Sequence, residues 1–155
     1  MVDVADEKTD SKRGIDHIGV GIVAMIHDGN GRLLLMKRGP KARDERGRWD
    51  VCGGAIEFSE QVMDAVHREV KEELCTEPLE VEFVTAYDAH REHEGKATHW
   101  VQLVHAVKVN PETVKIGEPH KIAELGWFSA QDLPVPLHSQ FHKSFAHARK
   151  IGIVD

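Results

Sequence analysis

The chain has 155 residues, of which 41% are hydrophobic and 30% are charged, and its formal net charge is −6. This length and composition are typical of one globular domain with a single core. The negative charge argues against a nucleic-acid-binding surface, which is normally basic. It is compatible with a small phosphorylated ligand, because bound cations can supply positive charge locally.

The cysteines and the N-terminal residues indicate a cytoplasmic location. Cys52 and Cys75 form neither a disulfide framework nor a zinc-binding spacing, which favours a reducing compartment. The first residues are polar and acidic, unlike a signal peptide. The longest apolar stretch, residues 18–26, is too short to span a bilayer, so we expect no contact with a membrane.

The N-terminal part of the chain predicts a tail followed by a hairpin. Residues 1–14 are mostly charged or small and are predicted to be flexible, whereas residues 15–155 are predicted to form one domain. The apolar run from residue 17 to residue 26 predicts a buried strand. The turn signal at residues 28–31 and the apolar residues 33–36 predict a second strand that pairs with the first.

A basic loop and a glycine pair follow the hairpin. Most charges of residues 37–48 are expected to face solvent, but Lys37 or Arg38, at the end of the strand, could meet a substrate phosphate. Gly53 and Gly54 come shortly afterwards. Because glycine has no Cβ, this pair allows the backbone to approach a metal ion or a phosphate closely.

The segment after the glycine pair predicts an amphipathic helix. Ser59 is the predicted N-cap, and the helix is predicted to end near Leu74. Its apolar stripe recurs every four residues and consists of Val62, Val66, Val70 and Leu74. The residues predicted to face solvent on the far side are Glu60, Asp64, Arg68 and Lys71.

Three carboxylates on this helix are difficult to explain by structure alone. Glu69, Glu72 and Glu73 lie within roughly 100° of one another on a helical period. Like charges at this spacing repel by about 0.2–0.5 kcal/mol per pair. Glu73 falls at the angle of the apolar stripe and Glu69 at its edge, where a buried carboxylate needs a partner. A hard divalent cation, Mg²⁺ or Mn²⁺, would reverse this penalty.

The C-terminal half predicts further strands and a closing helix. Residues 79–87 and 99–109 are predicted strands joined by a polar loop at 90–98, and residues 126–128 a short strand. Residues 138–149 are predicted to form the closing helix. Strands, helix, strands and helix in this order predict an α/β fold in which helices cover a mixed sheet.

The histidines of the predicted loop 90–98 and its border do not indicate a zinc site. The spacing of His90, His93 and His99 fits no standard zinc-binding pattern. Loop histidines are usually solvated, so we expect no zinc there.

The glycine pair and the helix together resemble the Nudix hydrolases. The box of that family reads G-x5-E-x7-R-E-U-x-E-E-x-G-U, where U is a bulky aliphatic residue. Cys75 and Thr76 depart from its last G and U. The residues that match in register are Gly54, Glu60, Arg68, Glu69, Val70, Glu72 and Glu73. The resemblance implies a Nudix-type α/β/α sandwich with a mixed central sheet and a loop-helix-loop catalytic motif.

The resemblance also implies a chemistry and a set of ligands. Members of this family hydrolyse a phosphoanhydride bond of a nucleoside diphosphate linked to another group, with water as the nucleophile. Divalent ions neutralise the phosphates and lower the pKa of bound water. By position, Glu69, Glu72, Glu73 and the Gly53 carbonyl would bind Mg²⁺ or Mn²⁺. Because Cys75 replaces the final glycine, we expect a slightly different exit from the helix and no loss of activity.

The remaining roles follow from the same resemblance. Arg68 would orient carboxylates through a bidentate ion pair, and Glu60 would support the loop, as would Gly54. The general base is left open between Glu69 and a residue of a downstream loop. The downstream candidates are Glu118 and His120.

The regions outside the box are closest to the MutT-like group of the family. That likeness implies hydrolysis of a (deoxy)nucleoside triphosphate to the monophosphate and pyrophosphate. One alternative is an ADP-ribose or nucleotide-sugar pyrophosphatase. Another is a non-catalytic Nudix-fold domain that binds a nucleotide and regulates a partner, although the complete set of Glu69, Glu72 and Glu73 argues against it. The expected partner is a small nucleotide, and a homodimer is possible.

Overall fold

A computed structural model describes residues 11–155 of the chain. Within this range a 3-10 turn, Pro111–Thr113, accompanies the strands and helices. The strands are β1 (Gly19–His27), β2 (Leu33–Arg38), β3 (Trp49–Asp50), β4 (Cys52–Ala55), β5 (Glu80–His93), β6 (Lys96–Lys108) and β7 (Ile122–Phe128). The helices are α1 (Val62–Leu74) and α2 (Phe141–Lys150).

All seven strands belong to one mixed sheet. Its main path runs β3-β2-β1-β6-β5, while β4 pairs with β1 and β7 pairs with β2. The pairing of β1 with β6 is parallel, and the other pairings are antiparallel. The predicted mixed sheet is therefore confirmed.

The core occupies both faces of this sheet. In β1, Ile22 packs in the cluster that contains Val66 and Val70 of α1. The adjacent residue Val23 packs in a second cluster, which contains Ala148 of α2. Because successive side chains of a strand point to opposite faces, the two helices cover opposite sides of the sheet. This arrangement is the predicted α/β/α sandwich.

Helix α1 begins two residues later than the sequence predicts. The predicted N-cap, Ser59, is wrong: Gln61 occupies that position with extended backbone and no capping side-chain hydrogen bond. Ser59 has φ 67°, a left-handed conformation that an N-cap does not adopt. The predicted apolar stripe is confirmed at Val66, Val70 and Leu74, which are fully buried, whereas Val62, its first predicted member, is exposed at the start of the helix.

Backbone hydrogen bonds from two segments of the chain cap the C-terminal end of α1. Cys75 takes the left-handed conformation, with φ 55°, and its N–H donates to the Lys71 carbonyl. The expected change in the exit of the helix is therefore wrong, because cysteine adopts the conformation that glycine commonly provides there. The Lys115 N–H donates to the Leu74 carbonyl at 2.9 Å, and the Gly117 N–H donates to the Glu73 carbonyl at 2.8 Å. These bonds satisfy carbonyls that would otherwise lack partners.

The predicted polar loop 90–98 is wrong. Strands β5 and β6 continue through it and turn only at Glu94 and Gly95, whose φ angles are 51° and 78°. His90 pairs directly with His99 in this extension. The polar composition misled the prediction because most residues from 90 to 98 are exposed although they extend the strands, and an exposed strand position does not require an apolar side chain.

Two other boundaries differ by a few residues. Strand β7 begins at Ile122 rather than at residue 126, because its pairing with β2 continues to Arg38 through a shift in register. Helix α2 begins at Phe141 rather than at residue 138. His138 instead donates its backbone N–H to the Trp49 carbonyl, which holds it in the preceding loop.

The N-terminal segment is described only in part. Residues 1–10 of the predicted flexible tail lie outside the described residues. Gly14 donates its N–H to the His17 carbonyl and accepts from the His99 N–H, each at 2.8 Å, so it belongs to the folded domain. Among the described residues, no helix is long and apolar enough to cross a membrane.

Replacing Leu74 by alanine should reduce the free energy of unfolding by about 2–5 kcal/mol, because Leu74 is fully buried between α1 and the sheet. Urea unfolding in the presence of a chelator measures this difference. Met63→Ala, on the exposed side of the same helix, is the control and should change stability by less than about 0.5 kcal/mol. Equal losses in the two variants would contradict the packing of α1.

Candidate active site

The site forms where helix α1 approaches strand β4 most closely. Antiparallel pairing with β1 places Gly54 beside Ile22 and Gly53 beside Val23. A Cβ added to Gly54 would lie 2.1 Å from the Glu69 Oε1 atom, so only glycine leaves room for that carboxylate. The carboxylate of Glu69 therefore lies directly against the backbone of Gly54.

Glu73 lies beside the other glycine and is costly to ionise. The Gly53 N–H approaches its Oε2 atom at 3.4 Å, and the Cys52 thiol also hydrogen-bonds to it. Burial, reinforced by the charge of Glu69, raises the pKa of Glu73 to about 8. Burial also raises the pKa of Glu69, although its hydrogen bond with Arg68 opposes this effect.

Arg68 connects the strand, the loop and the helix. Its Nε and Nη2 atoms donate to the two carboxylate oxygens of Glu60 at 2.7 and 2.9 Å, which is the predicted bidentate pair. Its Nη1 atom donates to Glu69 at 2.8 Å, and Nη2 also donates to the Ala55 carbonyl at 3.0 Å. These hydrogen bonds lower the pKa of Glu60 to about 2.

Two orientations predicted from the helical period are therefore wrong. Glu60 and Arg68 were expected to face solvent, but their side chains are only 15% and 27% exposed. The reason is that Glu60 precedes α1 and folds back over it, so the two side chains meet in the crevice between the loop and the helix.

The three carboxylates of α1 do not converge on one point. The side chain of Glu72 is 51% exposed, and Arg68 Nη1 donates to it at 3.3 Å while also bonding Glu69. Among the described residues, the set Glu69, Glu72 and Glu73 does not bring one oxygen from each within 4.8 Å of the others. The structure thus brings Glu69 and Glu73 to the glycine pair and places Glu72 at the rim.

The downstream loop adds a fourth carboxylate. The bond from the Gly117 N–H to the Glu73 carbonyl brings the next residue, Glu118, close enough that its charge raises the pKa of both Glu69 and Glu73. His120 lies farther out, with a side chain that is 52% exposed and 3.9 Å from Glu118. Of the two downstream candidates, Glu118 is therefore the one whose charge acts on the site.

These residues fit a hard divalent cation. Glu69 and Glu73 place carboxylate oxygens at the glycine pair, and the charge of Glu118 acts on both. Oxygen is the donor that Mg²⁺ and Mn²⁺ prefer. Burial raises the pKa of Glu69 and of Glu73, so ionising either carboxylate in the folded chain costs free energy. A divalent cation would reverse that effect.

A cavity of about 270 Å³ adjoins this crevice on the side of α2. Glu73 and the glycine pair form one end of it. Arg38 lies in its wall, but two of its guanidinium nitrogens donate to the carbonyl and the carboxylate of Asp44, each at 2.8 Å. Arg38, the predicted phosphate contact, therefore lines the cavity, but two of its three guanidinium nitrogens already donate hydrogen bonds to Asp44.

Several cavity residues were not predicted as functional. Asp50, three residues before the glycine pair, is a partly buried carboxyl whose pKa is raised by desolvation. Tyr87, Trp100 and Phe141 supply aromatic surface. A charged residue between the apolar residues at positions 49 and 51 is a sequence pattern that could have indicated a functional role for Asp50. The aromatic residues could not be distinguished from core residues by sequence.

Comparisons with known proteins find similar sequences and similar folds. A family model described as NUDIX domain matches residues 16–148. The CTP pyrophosphohydrolase of Escherichia coli (strain K12) is 33% identical over 119 residues, covering 76% of this chain and 82% of that protein. A MutT NUDIX hydrolase structure from Burkholderia pseudomallei has a TM-score of 0.75 and 32% identity, covering 84% of this chain and 98% of its own.

A fourth comparison concerns the fold alone. The NUDIX domain of Shewanella oneidensis NrtR, complexed with ADP ribose, has a TM-score of 0.73 and 16% identity, covering 97% of this chain and 99% of that one. The α/β/α sandwich is thus the shared fold. On the family model and the sequence identities, the chain belongs to the Nudix family, as a MutT-like hydrolase. The predicted family and the predicted enzyme class, a Nudix pyrophosphohydrolase, are confirmed.

The raised pKa of Glu73 predicts how stability depends on pH in a chelator. The folded chain holds this proton up to about pH 8, whereas the ordinary pKa is 4.5. Between these values the folded state binds more protons than the unfolded state, so the free energy of unfolding falls as pH rises. The loss from Glu73 should be on the order of a few kcal/mol.

Urea unfolding from about pH 5 to about pH 8 measures this dependence. Glu73→Gln cannot ionise at this position and should flatten the curve over that range. If wild type and Glu73→Gln lose stability in parallel, the assignment of the raised pKa to Glu73 is wrong.

Proposed function

We propose that the enzyme hydrolyses the bond between the α- and β-phosphates of a (deoxy)nucleoside triphosphate, with Mg²⁺ or Mn²⁺. Water attacks one phosphorus atom, the bridging oxygen leaves with the other, and the products are the monophosphate and pyrophosphate. The observation that carries this proposal is the pair Glu69 and Glu73 against the glycine backbone, at one end of the cavity. The identity of 33% to a CTP pyrophosphohydrolase supports a triphosphate, with CTP as the first to test.

In this proposal the cation, when bound, neutralises phosphate charge and lowers the pKa of the attacking water. Glu69 and Glu73 hold it, with the Gly53 carbonyl and Glu72 as further ligands. Glu72 reaches the group from the rim by rotating its exposed side chain away from Arg68.

Arg68 acts as a positioning residue. Its guanidinium fixes Glu69 from one side while Glu60 and the Ala55 carbonyl hold the guanidinium itself. A carboxylate fixed in this way keeps its orientation when charge develops on the substrate, which is the benefit of an outer hydrogen-bond partner. The Glu60 carboxylate also accepts from the Glu57 N–H at 3.1 Å, so the same contacts hold the loop.

The cavity supplies the nucleoside site in this proposal. Its aromatic residues Tyr87 and Trp100 offer faces on which a base can stack. Asp50 offers a partly buried carboxyl that can hydrogen-bond to a base edge. The Val51 N–H donates to its Oδ1 atom, while Arg38 and His138 lie 3.8 and 3.7 Å from its Oδ2 atom. Arg38 would reach a phosphate by exchanging Asp44 for it.

Glu73→Gln should lower kcat/KM by at least about 100-fold, because the amide cannot replace an anionic ligand in an acidic metal site. The assay measures pyrophosphate and phosphate release from CTP, other canonical and oxidised (deoxy)nucleoside triphosphates, ADP-ribose and UDP-sugars, with Mg²⁺ or Mn²⁺. Glu77→Gln, an exposed carboxylate just beyond α1, is the matched control and should retain wild-type activity.

The panel also separates the alternatives. Turnover of ADP-ribose or UDP-sugars in preference to every triphosphate would replace the proposed substrate class. If the wild type bound nucleotide but turned over none of the panel with either metal, it would be a regulatory Nudix domain. Equal activity of Glu73→Gln and Glu77→Gln would remove Glu73 from the site.

A second experiment addresses the downstream loop. Glu118→Gln should lower kcat by at least about tenfold, because the charge of Glu118 acts on Glu69 and Glu73 and the residue is a candidate general base. His120→Gln is the matched control, two residues away and more exposed, and should change kcat less than about twofold. The pH profile of kcat distinguishes a base from a metal ligand, since loss of a base removes its limb of the profile. A larger loss in His120→Gln than in Glu118→Gln would reverse the assignment.

A further inference from the structure

Three polar side chains come together on the outer part of the β5–β6 hairpin, apart from the carboxylates of α1. They are Asp88, His90 and His99. One ligand-capable atom from each lies within 4.8 Å of the other two, and among the described residues this is the one such group of three. The sequence concealed it, because the histidine spacing fits no zinc-binding pattern along the chain.

The strand register explains how the group forms. Asp88 and His90 are two residues apart on β5, so their side chains leave the same face of the sheet. His99 on β6 pairs directly with His90, and Val101 pairs with Asp88. His99 is thus the direct neighbour of one residue and the diagonal neighbour of the other, at distances that side chains of this length can bridge.

The three side chains of the group already contact one another in the structure. The His99 Nε2 atom lies 2.8 Å from the Asp88 Oδ1 atom, a hydrogen bond to the carboxylate. The rings of His90 and His99 lie 4.2 Å apart between centroids, with a tilt of 37°. The hydrogen bond also lowers the pKa of Asp88, so the carboxylate is ionised at neutral pH.

We propose that Asp88, His90 and His99 form a binding site for a divalent transition cation, with Zn²⁺ as the best fit. Two imidazoles and one carboxylate are a donor set that Zn²⁺, Co²⁺ and Ni²⁺ accept, whereas Mg²⁺ prefers oxygen alone. This site therefore differs in chemistry from the crevice at the glycine pair. The site would select transition cations over Mg²⁺ because of its nitrogen donors and not because of its net charge.

Small side-chain movements suffice to bind the cation. Ligands at about 2.0–2.1 Å in tetrahedral geometry lie about 3.3 Å from one another, so the 2.8 Å contact must open slightly and the longest separation must close. The Asp88 and His99 side chains are 59% and 33% exposed, so this adjustment does not disturb the core. Three protein ligands leave a fourth position for water. His90 and His99 themselves line an open cavity at the surface, together with His17 and Thr98.

The proposed site lies on the reverse of the cavity wall. Tyr87 and Ala89 alternate with Asp88 and His90 along β5, and both line the nucleotide-sized cavity. A cation on the reverse face would cross-link β5 to β6 beside that wall. The proposal does not depend on the substrate, because it rests on the register of the hairpin and not on the helix α1.

The test measures Co²⁺ and Zn²⁺ binding to the full chain in a large excess of Mg²⁺, which occupies sites built of oxygen donors. We expect one equivalent of Co²⁺ with the strong visible absorption of a low-symmetry site containing nitrogen, and its displacement by Zn²⁺. His90→Ala and His99→Ala should each weaken binding by more than about 100-fold, since loss of even an outer hydrogen-bond partner of a metal ligand costs 10–100-fold. Asp88→Asn should weaken it by about tenfold or more, by the same comparison.

The matched control is His93→Ala. His93 belongs to the same hairpin, three residues from His90 and on the other face of β5, so this variant should bind Co²⁺ like the wild type. Far-UV circular dichroism and hydrolysis with Mg²⁺ establish that each variant is folded, and His90→Gln and His99→Gln replace any alanine variant that is not. Identical Co²⁺ binding by wild type, His90 and His99 variants would overturn the proposal, as would the absence of binding by the wild type. Either result would leave a hydrogen-bonded polar cluster only.

Discussion

The close approach of helix α1 to strand β4 is the constraint on which the site depends. A carboxylate oxygen of Glu69 occupies the space that a Cβ of Gly54 would need, so a larger residue there would displace that carboxylate. Pairing with β1 fixes the strand, and the apolar stripe of α1 fixes the helix. The packing of these two elements thus holds the Glu69 carboxylate against the backbone of Gly54.

Holding Glu69 in this buried place costs electrostatic free energy. Among the described residues around Glu69, only Arg68 offsets this cost, through its hydrogen bond. The guanidinium satisfies Glu60 and one side of Glu69, but Glu73 faces the Cys52 thiol and a long contact from the Gly53 N–H. Its carboxyl therefore favours the protonated form at neutral pH. A divalent cation bound beside it would favour the ionised form, because the positive charge of the cation offsets the repulsion between the carboxylates.

The β5–β6 hairpin contributes side chains to two opposite faces of the sheet. Because side chains alternate along a strand, Tyr87 and Ala89 form the cavity wall while Asp88 and His90 meet on the reverse face. The far end of this hairpin extends beyond the cover of α1, so polar residues can occupy that face without the cost of burying them. Two neighbouring positions on one strand can therefore belong to sites of different chemistry.

The sequence alone determined the features that depend on spacing within one element. The fixed interval from Gly54 to Glu73 identified the helix, its buried carboxylates and the family, because helical geometry follows directly from residue number. Only the tertiary structure decided which distant residues meet. Glu118 enters the site through a cap on the end of α1, Tyr87 joins the cavity through the sheet, and His99 meets His90 through strand register. Contacts of this kind depend on pairing and packing between elements, which no local pattern encodes.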